Sequence, residues 1–138
     1  IRSYYIEQTL LKRFKSVHKA IQVVSFGAGL DTKPYRLQYL DENDFFFEVD
    51  VQIIQRYKAK ILDEKLKAKP LCNLKRITIN LEKTNDANTM QLLVDNGFDA
   101  KKPVFWLMEG LVMYMSKEAV QSLLSTISAY CAIGQNEI

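Results

Sequence analysis

The run Val23-Val24-Ser25-Phe26 is apolar and β-branched, and it stops at Gly27-Ala28-Gly29, with Asp31 two residues further on. A run of that composition and length reads as a strand buried on both faces, and the glycines mark a sharp turn out of it. Further along, Phe45-Phe46-Phe47-Glu48-Val49 repeats the design and ends on Asp50. Two buried strands with polar groups at their carboxyl tips describe the ligand crevice of an open α/β sheet. A nucleoside-bearing cofactor is the first expectation.

The remaining pattern alternates helix with strand. Ile6, Leu10, Leu11 and Phe14 recur at helical spacing and predict an amphipathic helix ahead of the first strand. A short helix or turn is expected over residues 34–40. Ile53, Ile54, Tyr57, Ile61 and Leu62 then predict a long helix that fades at Pro70. Residues 76–80 alternate as a third strand, and Met90, Leu93 and Val94 predict a helix capped at Asn96-Gly97. Residues 104–108 form a fourth apolar run that ends on Glu109-Gly110. Ser116 is placed to cap a last helix, whose Val120, Leu123, Leu124, Ile127 and Tyr130 share a face. The expectation is an α/β fold with a partial parallel sheet of about four strands and right-handed crossovers. The chain opens on Ile1 and not Met, and its pattern stops after a helix with no strand to receive it. A single domain over residues 1–138, truncated at both ends, is therefore expected.

Composition narrows the function classes. Net charge is only +3 over 138 residues, and the basic stretch Lys58–Lys69 is interrupted by Asp63 and Glu64. That stretch reads as a solvated helix face, so no nucleic-acid partner is expected. No apolar run reaches membrane-spanning length and no signal peptide is visible, so no membrane partner is expected either. Cys72 and Cys131 are too far apart for a redox pair or a metal set, which suits idle thiols in a reducing, cytoplasmic setting. His18 is the single histidine, so neither a His-based metal site nor a Ser-His-Asp triad is available, and no metal is expected. It lies between a helix and a strand, which makes a general-base role the lesser reading.

The motif residues carry more. Gly27 lets the chain turn, and Gly29 lets a ligand approach backbone without meeting a Cβ. A dinucleotide fingerprint would place a third small residue at position 32, with the pyrophosphate on a helix N-terminus. Here Thr32 stands at that position, flanked by Asp31 and followed by Pro34. A carboxylate in the loop repels a pyrophosphate and suits a positively charged ligand such as S-adenosyl-L-methionine. Asp50 can accept two hydrogen bonds from a ribose diol, or it can cap the helix that follows. Asn80-Leu81 ends the third strand, where Asn80 can hold an adenine edge or form a turn and Leu81 can pack on the ring. Glu109 follows a strand read as buried on both faces, where an ammonium partner would stabilise its charge.

Taken together, residues 22–37 (Gln22 to Leu37), Phe47-Glu48-Val49-Asp50 and Glu109-Gly110-Leu111-Val112-Met113-Tyr114-Met115 resemble the leucine carboxyl methyltransferase family, a match running from Arg2 to about Leu124. The resemblance implies a Rossmann-like class I methyltransferase core and an S-adenosyl-L-methionine-dependent O-methyltransferase with S-adenosyl-L-homocysteine as product. It implies that Arg2 grips the methionine carboxylate, although a solvated charge near the chain end is the alternative. The Gly27-Ala28-Gly29 turn and Asp31 would lie close to the methionine moiety. Asp50 would bind the ribose, Asn80 and Leu81 would flank adenine, and Glu109 would face the amino group. The family more often has Asp-Leu where this chain has Asn80-Leu81, and Glu109-Gly110 resembles its bacterial-type branch.

The implied reaction is displacement at a sulfonium methyl by a substrate oxygen, and a carboxylate acceptor needs no general base. A small molecule or a protein C-terminal carboxylate fits as acceptor. No residue is assigned as catalytic, with Arg36 and Tyr114 as candidates to approach the acceptor and core packing an equal reading of Tyr114. The competing functions are a nicotinamide-dependent oxidoreductase in the same crevice and a non-catalytic cofactor-binding remnant.

Overall fold

The computed structural model describes residues 1–17, 19–83 and 86–131, so His18 and the side chain of Cys131 lie outside the described part. Helix α1 (Arg2–Val17) precedes strand β1 (Gln22–Phe26), and α2 (Lys33–Arg36) is a single turn. Strand β2 (Phe45–Asp50) leads into α3 (Gln52–Ala59), which continues as a π-turn over Lys60–Lys65. Strand β3 (Asn73–Thr78), α4 (Asp86–Asp95), β4 (Val104–Leu107) and α5 (Lys117–Cys131) complete the described chain. The sheet is wholly parallel, in the order β3-β2-β1-β4. The chain thus steps outward from β1 to β3 and then returns to the far side of β1. That reversal opens a crevice between the carboxyl ends of β1 and β4.

Period-two alternation splits the apolar residues between two cores. Val24, Phe26, Phe47, Val49 and Trp106 face α4 and α5, where Met90, Leu93, Leu123 and Ile127 are buried against them. Val23 and Phe46 point the other way, onto Leu10 of α1 and onto Leu37 and Leu40 beyond α2. Every residue of β1 is buried, as expected for a central parallel strand.

Both expected helix caps are present. Phe98 N–H bonds to the Leu93 carbonyl at 3.0 Å and Gly97 N–H to Val94 at 3.0 Å, with Gly97 at φ +101°. This is the Schellman arrangement, and it needs the left-handed residue that glycine supplies. Ser116 Oγ accepts the Ala119 N–H at 3.2 Å at the head of α5.

Two expectations need correcting. The third strand begins at Asn73, three residues before the alternating run, because β2 pairs with it from Phe45↔Asn73 to Asp50↔Thr78. Its first residues are half-exposed on a sheet edge, where polar side chains are tolerated. In α3 the inward residues are Gln55 and Lys58, while Ile53 is 76% exposed and Tyr57 56% exposed. Gln55 donates to the Glu48 carbonyl at 2.9 Å, and Lys58 Nζ pairs with the buried Glu48 Oε1 at 2.5 Å. Lys58 therefore does not belong to a solvated face, although Lys60, Lys65, Lys67 and Lys69 are exposed.

Candidate functional site

The loop after β1 is held by β2 and not by its own residues. Gly27 N–H donates to the Val49 carbonyl at 2.8 Å, which extends the sheet by one rung beyond Phe26. Asp50 Oδ2 accepts the Gly29 N–H at 2.7 Å, and its Oδ1 accepts the N–H of Val51 at 2.7 Å. A carboxylate oxygen has two lone pairs, so both oxygens keep acceptor capacity toward a ligand. Gly27 and Gly29 both take left-handed φ, +65° and +53°. They differ in what surrounds them. A Cβ on Gly27 would lie 2.8 Å from Leu111 Cδ1, whereas on Gly29 it would meet only the Gly27 carbonyl oxygen at 3.9 Å. Leu111 fills the space at Gly27, and Gly29 is the glycine whose backbone stays approachable.

Arg2, Ser3, Gly27, Ala28, Gly29, Asp31, Lys33 and Glu109 line one depression of 280 Å³ at the switch point, with Ser25 at its floor and Leu30 beside it. Glu109 is its centre of charge. Its Oε1 accepts from Ser3 Oγ at 2.7 Å and from Arg2 Nε at 3.2 Å, and its Oε2 accepts from Lys33 Nζ at 2.8 Å. Burial opposes ionisation of Glu109, yet the Lys33, Ser3 and Arg2 contacts outweigh it and hold the carboxyl at about 2. Lys33 Nζ also meets Asp31 Oδ2 at 3.0 Å. Burial would lower the Lys33 pKa, but the Glu109 and Asp31 carboxylates carry it above the ordinary lysine value. Arg2 crosses the face of Gly110, whose absent Cβ would sit 3.4 Å from the guanidinium.

Of the residues singled out from the sequence, Arg2, Gly27, Ala28, Gly29, Asp31 and Glu109 share this depression. Asp50 stands one hydrogen bond away, through Gly29. Asn80 lies two residues beyond the end of β3, and its Oδ1 accepts the Glu82 N–H at 3.0 Å in a tight turn. Leu81 packs against the larger core and lines a separate cavity of 240 Å³ with Glu82, Thr89, Ser116 and Leu123. Arg36 is drawn away from the crevice. It forms a two-point pair with Glu7 of α1, Nη1 to Oε2 at 3.0 Å, and also donates to Thr32 Oγ1. Tyr114 is 80% exposed.

Lys33 and Ser3 were not foreseen. Lys33 is 1% exposed, an unusual position for a lysine. The one local signal is its place two residues after Asp31, where its backbone N–H and ammonium both reach that carboxylate. Among the described residues, no group of three or more His, Cys, Asp or Glu side chains could hold a metal ion, and no helix is long and apolar enough to cross a membrane. Cys72 is a buried free thiol, and burial together with the charges of Asp44 and Glu48 pushes it up to about 12.

The family model described as leucine carboxyl methyltransferase matches residues 1–128. A Mycobacteroides abscessus protein is 34% identical over 115 residues, covering 83% of this chain and 36% of that protein. A Streptomyces coelicolor protein is 33% identical over 134 residues, covering 97% of this chain and 42% of that protein. A Frankia alni protein is 31% identical over 134 residues, covering 97% of this chain and 44% of that protein. All three carry names as proposed S-adenosyl-L-methionine-dependent methyltransferases. The chain thus spans well under two thirds of the length of these relatives.

Proposed function

Because the chain belongs to the leucine carboxyl methyltransferase family, we propose that it forms the donor-binding part of an S-adenosyl-L-methionine-dependent O-methyltransferase. The observation that carries this reading is the meeting of Arg2 and Glu109 over the glycine loop, with Asp50 hydrogen-bonded to Gly29 beneath. A guanidinium, a carboxylate and a strand-tip aspartate match the carboxylate, ammonium and ribose diol of the donor in chemical type. Gly29 supports the fit, because a Cβ there would meet only the Gly27 carbonyl oxygen, at 3.9 Å, and no side chain fills the space.

Bound there, S-adenosyl-L-methionine would supply a methyl group on a sulfonium, a leaving group that needs no proton. The chain's own residues bind and orient. Asp50 would accept from the ribose hydroxyls, Arg2 would hold the carboxylate, and Glu109, kept ionised by Lys33, Ser3 and Arg2, would receive the ammonium. Asn80 and Leu81 would bracket the adenine, with Ala28 and Asp31 completing the wall near the methionine end. We assign no general base, which suits a carboxylate acceptor, either a small acid or a protein C-terminus. The buried, protonated Cys72 suits a reducing cytoplasmic compartment.

A nicotinamide dinucleotide is disfavoured, since Thr32 stands where the dinucleotide fingerprint needs a third glycine and α2, which follows the loop, is a single turn with no long helix N-terminus for a pyrophosphate. Titration calorimetry tests the reading: S-adenosylhomocysteine should bind at one site per chain and NAD should not. Tight NAD binding with no response to S-adenosylhomocysteine would overturn it.

A further inference from the structure

The donor-site reading leaves unexplained why the depression contains a buried lysine. Lys33 enters from the first position of α2, is 1% exposed, and points its ammonium between Asp31 Oδ2 at 3.0 Å and Glu109 Oε2 at 2.8 Å. Taking an ammonium out of water is costly, and this one is compensated by two carboxylates that follow the adjacent strands β1 and β4. The charges around the depression then cancel, with Arg2 and Lys33 facing Asp31 and Glu109. Glu7 and Arg36 beyond it are already paired with each other, and the Asp50 carboxylate stands apart behind the Gly29 N–H. A net-neutral cluster built around a buried lysine accepts a further charged group most readily when that group brings its own counter-charge.

We propose that Lys33 is a specificity-determining residue, which balances Asp31 and Glu109 so that the site selects a zwitterionic amino-acid end group over a purely cationic one. This inference rests on the donor-site reading above. Without Lys33, two carboxylates would face Arg2, which is itself 66% exposed in its side chain. Such a site would draw in any amine, and it would repel the carboxylate that distinguishes an amino acid from a simple amine. With Lys33 present, Glu109 can accept an ammonium while a guanidinium and a second ammonium stand by for the carboxylate. Arg2 at the open rim and Lys33 in the floor thus divide the cation's work by depth.

The test compares two probes by titration calorimetry on the full chain: S-adenosylhomocysteine and its decarboxylated analogue, which keeps the amine alone. The parent should prefer S-adenosylhomocysteine by about tenfold or more, the scale of one charge-assisted contact. Lys33→Met should erase or invert that ratio. The doubly changed chain, Lys33→Met with Asp31→Asn, restores the balance of charge and should recover the parent's preference. Asp31→Asn alone leaves an excess of positive charge and should widen the preference, so the proposal stays open to refutation even if Lys33→Met does not fold. A ratio that stays constant across these variants overturns the proposal while leaving the donor site standing. A parent chain that binds neither probe removes the donor site, and the proposal with it.

Discussion

Lys33 Nζ lies 2.8 Å from Glu109 Oε2, a contact between residues 76 positions apart in the sequence. It joins the loop after β1 to the end of β4 at the point where the strand order reverses. The two residues follow strands that are neighbours in space, β1 and β4, and belong to opposite halves of the chain. Their pairing makes the depression's electrostatics a property of the assembled sheet.

Glu109 should contribute stability that depends on pH. Its carboxyl is held at about 2 in the folded chain, below the ordinary carboxylate value. The contribution is therefore complete above the unfolded pKa of about 4.3 and fades as pH falls toward the folded value. Glu109→Gln should lower stability by about 2 kcal/mol at pH 7, since Glu109 is only 15% exposed. Urea denaturation at a series of pH values should show the gap between parent and variant closing from about pH 4 down to about pH 2. A constant gap would mean that the ion pairs contribute nothing through ionisation.

Asp50 ties ligand binding to loop geometry. Asp50→Ala removes the acceptor for both Gly29 N–H and Val51 N–H, so it should cost about 1–2 kcal/mol of stability. It should also weaken S-adenosylhomocysteine by about 2 kcal/mol, read by calorimetry. Unchanged affinity in a folded variant would remove Asp50 from the ribose site.

The two loop glycines should respond differently to alanine. Gly27→Ala brings a Cβ to 2.8 Å from Leu111 Cδ1 at a left-handed φ, and should cost about 2–4 kcal/mol. Pairing it with Leu111→Ala relieves the collision but not the backbone strain, so the cost of Gly27→Ala should be smaller in that background. Gly29→Ala meets no close atom and should cost only about 1 kcal/mol, while weakening S-adenosylhomocysteine. Thermal unfolding with and without ligand separates the two effects.

The buried pair under the sheet should behave as a unit. Lys58→Met leaves the Glu48 carboxylate, itself 0% exposed, with only Arg76 Nε at 3.4 Å, and should cost about 3–5 kcal/mol. Changing Glu48→Leu together with Lys58→Met should recover most of that loss in chemical denaturation. Additive losses would show that the two side chains do not depend on one another.

Much of this architecture is legible locally. Val23–Phe26 stopping at Gly27 predicts a buried strand and a sharp turn, Asn96-Gly97 predicts a helix end, and Ser116 predicts a helix start. Each rests on φ preference, side-chain reach of one turn, or apolar periodicity, which act over a few residues and are written in consecutive letters. The same reasoning places Gly29 and Asp31 on the loop after β1 and Glu109 after β4, all of which line the depression, and Asp50 at the tip of β2, one hydrogen bond away from it. It misreads α3, whose apolar Ile53 and Tyr57 face outward while Gln55 and Lys58 turn in, because periodicity registers hydrophobicity and not the buried carboxylate that calls a lysine inward. It also misses the start of β3, because an edge strand takes its register from its neighbour and can carry polar residues.

The sequence alone settled where β1, β2 and β4 run, that a glycine turn follows β1, and that Asp50 and Glu109 stand at the ends of β2 and β4. Tertiary structure alone settled the strand order, the filling of Gly27 by Leu111, and the burial of Lys33 between Asp31 and Glu109. The division has one physical cause. Backbone preference is a property of neighbours along the chain, whereas desolvation and charge pairing depend on which distant groups the sheet brings within a few ångströms.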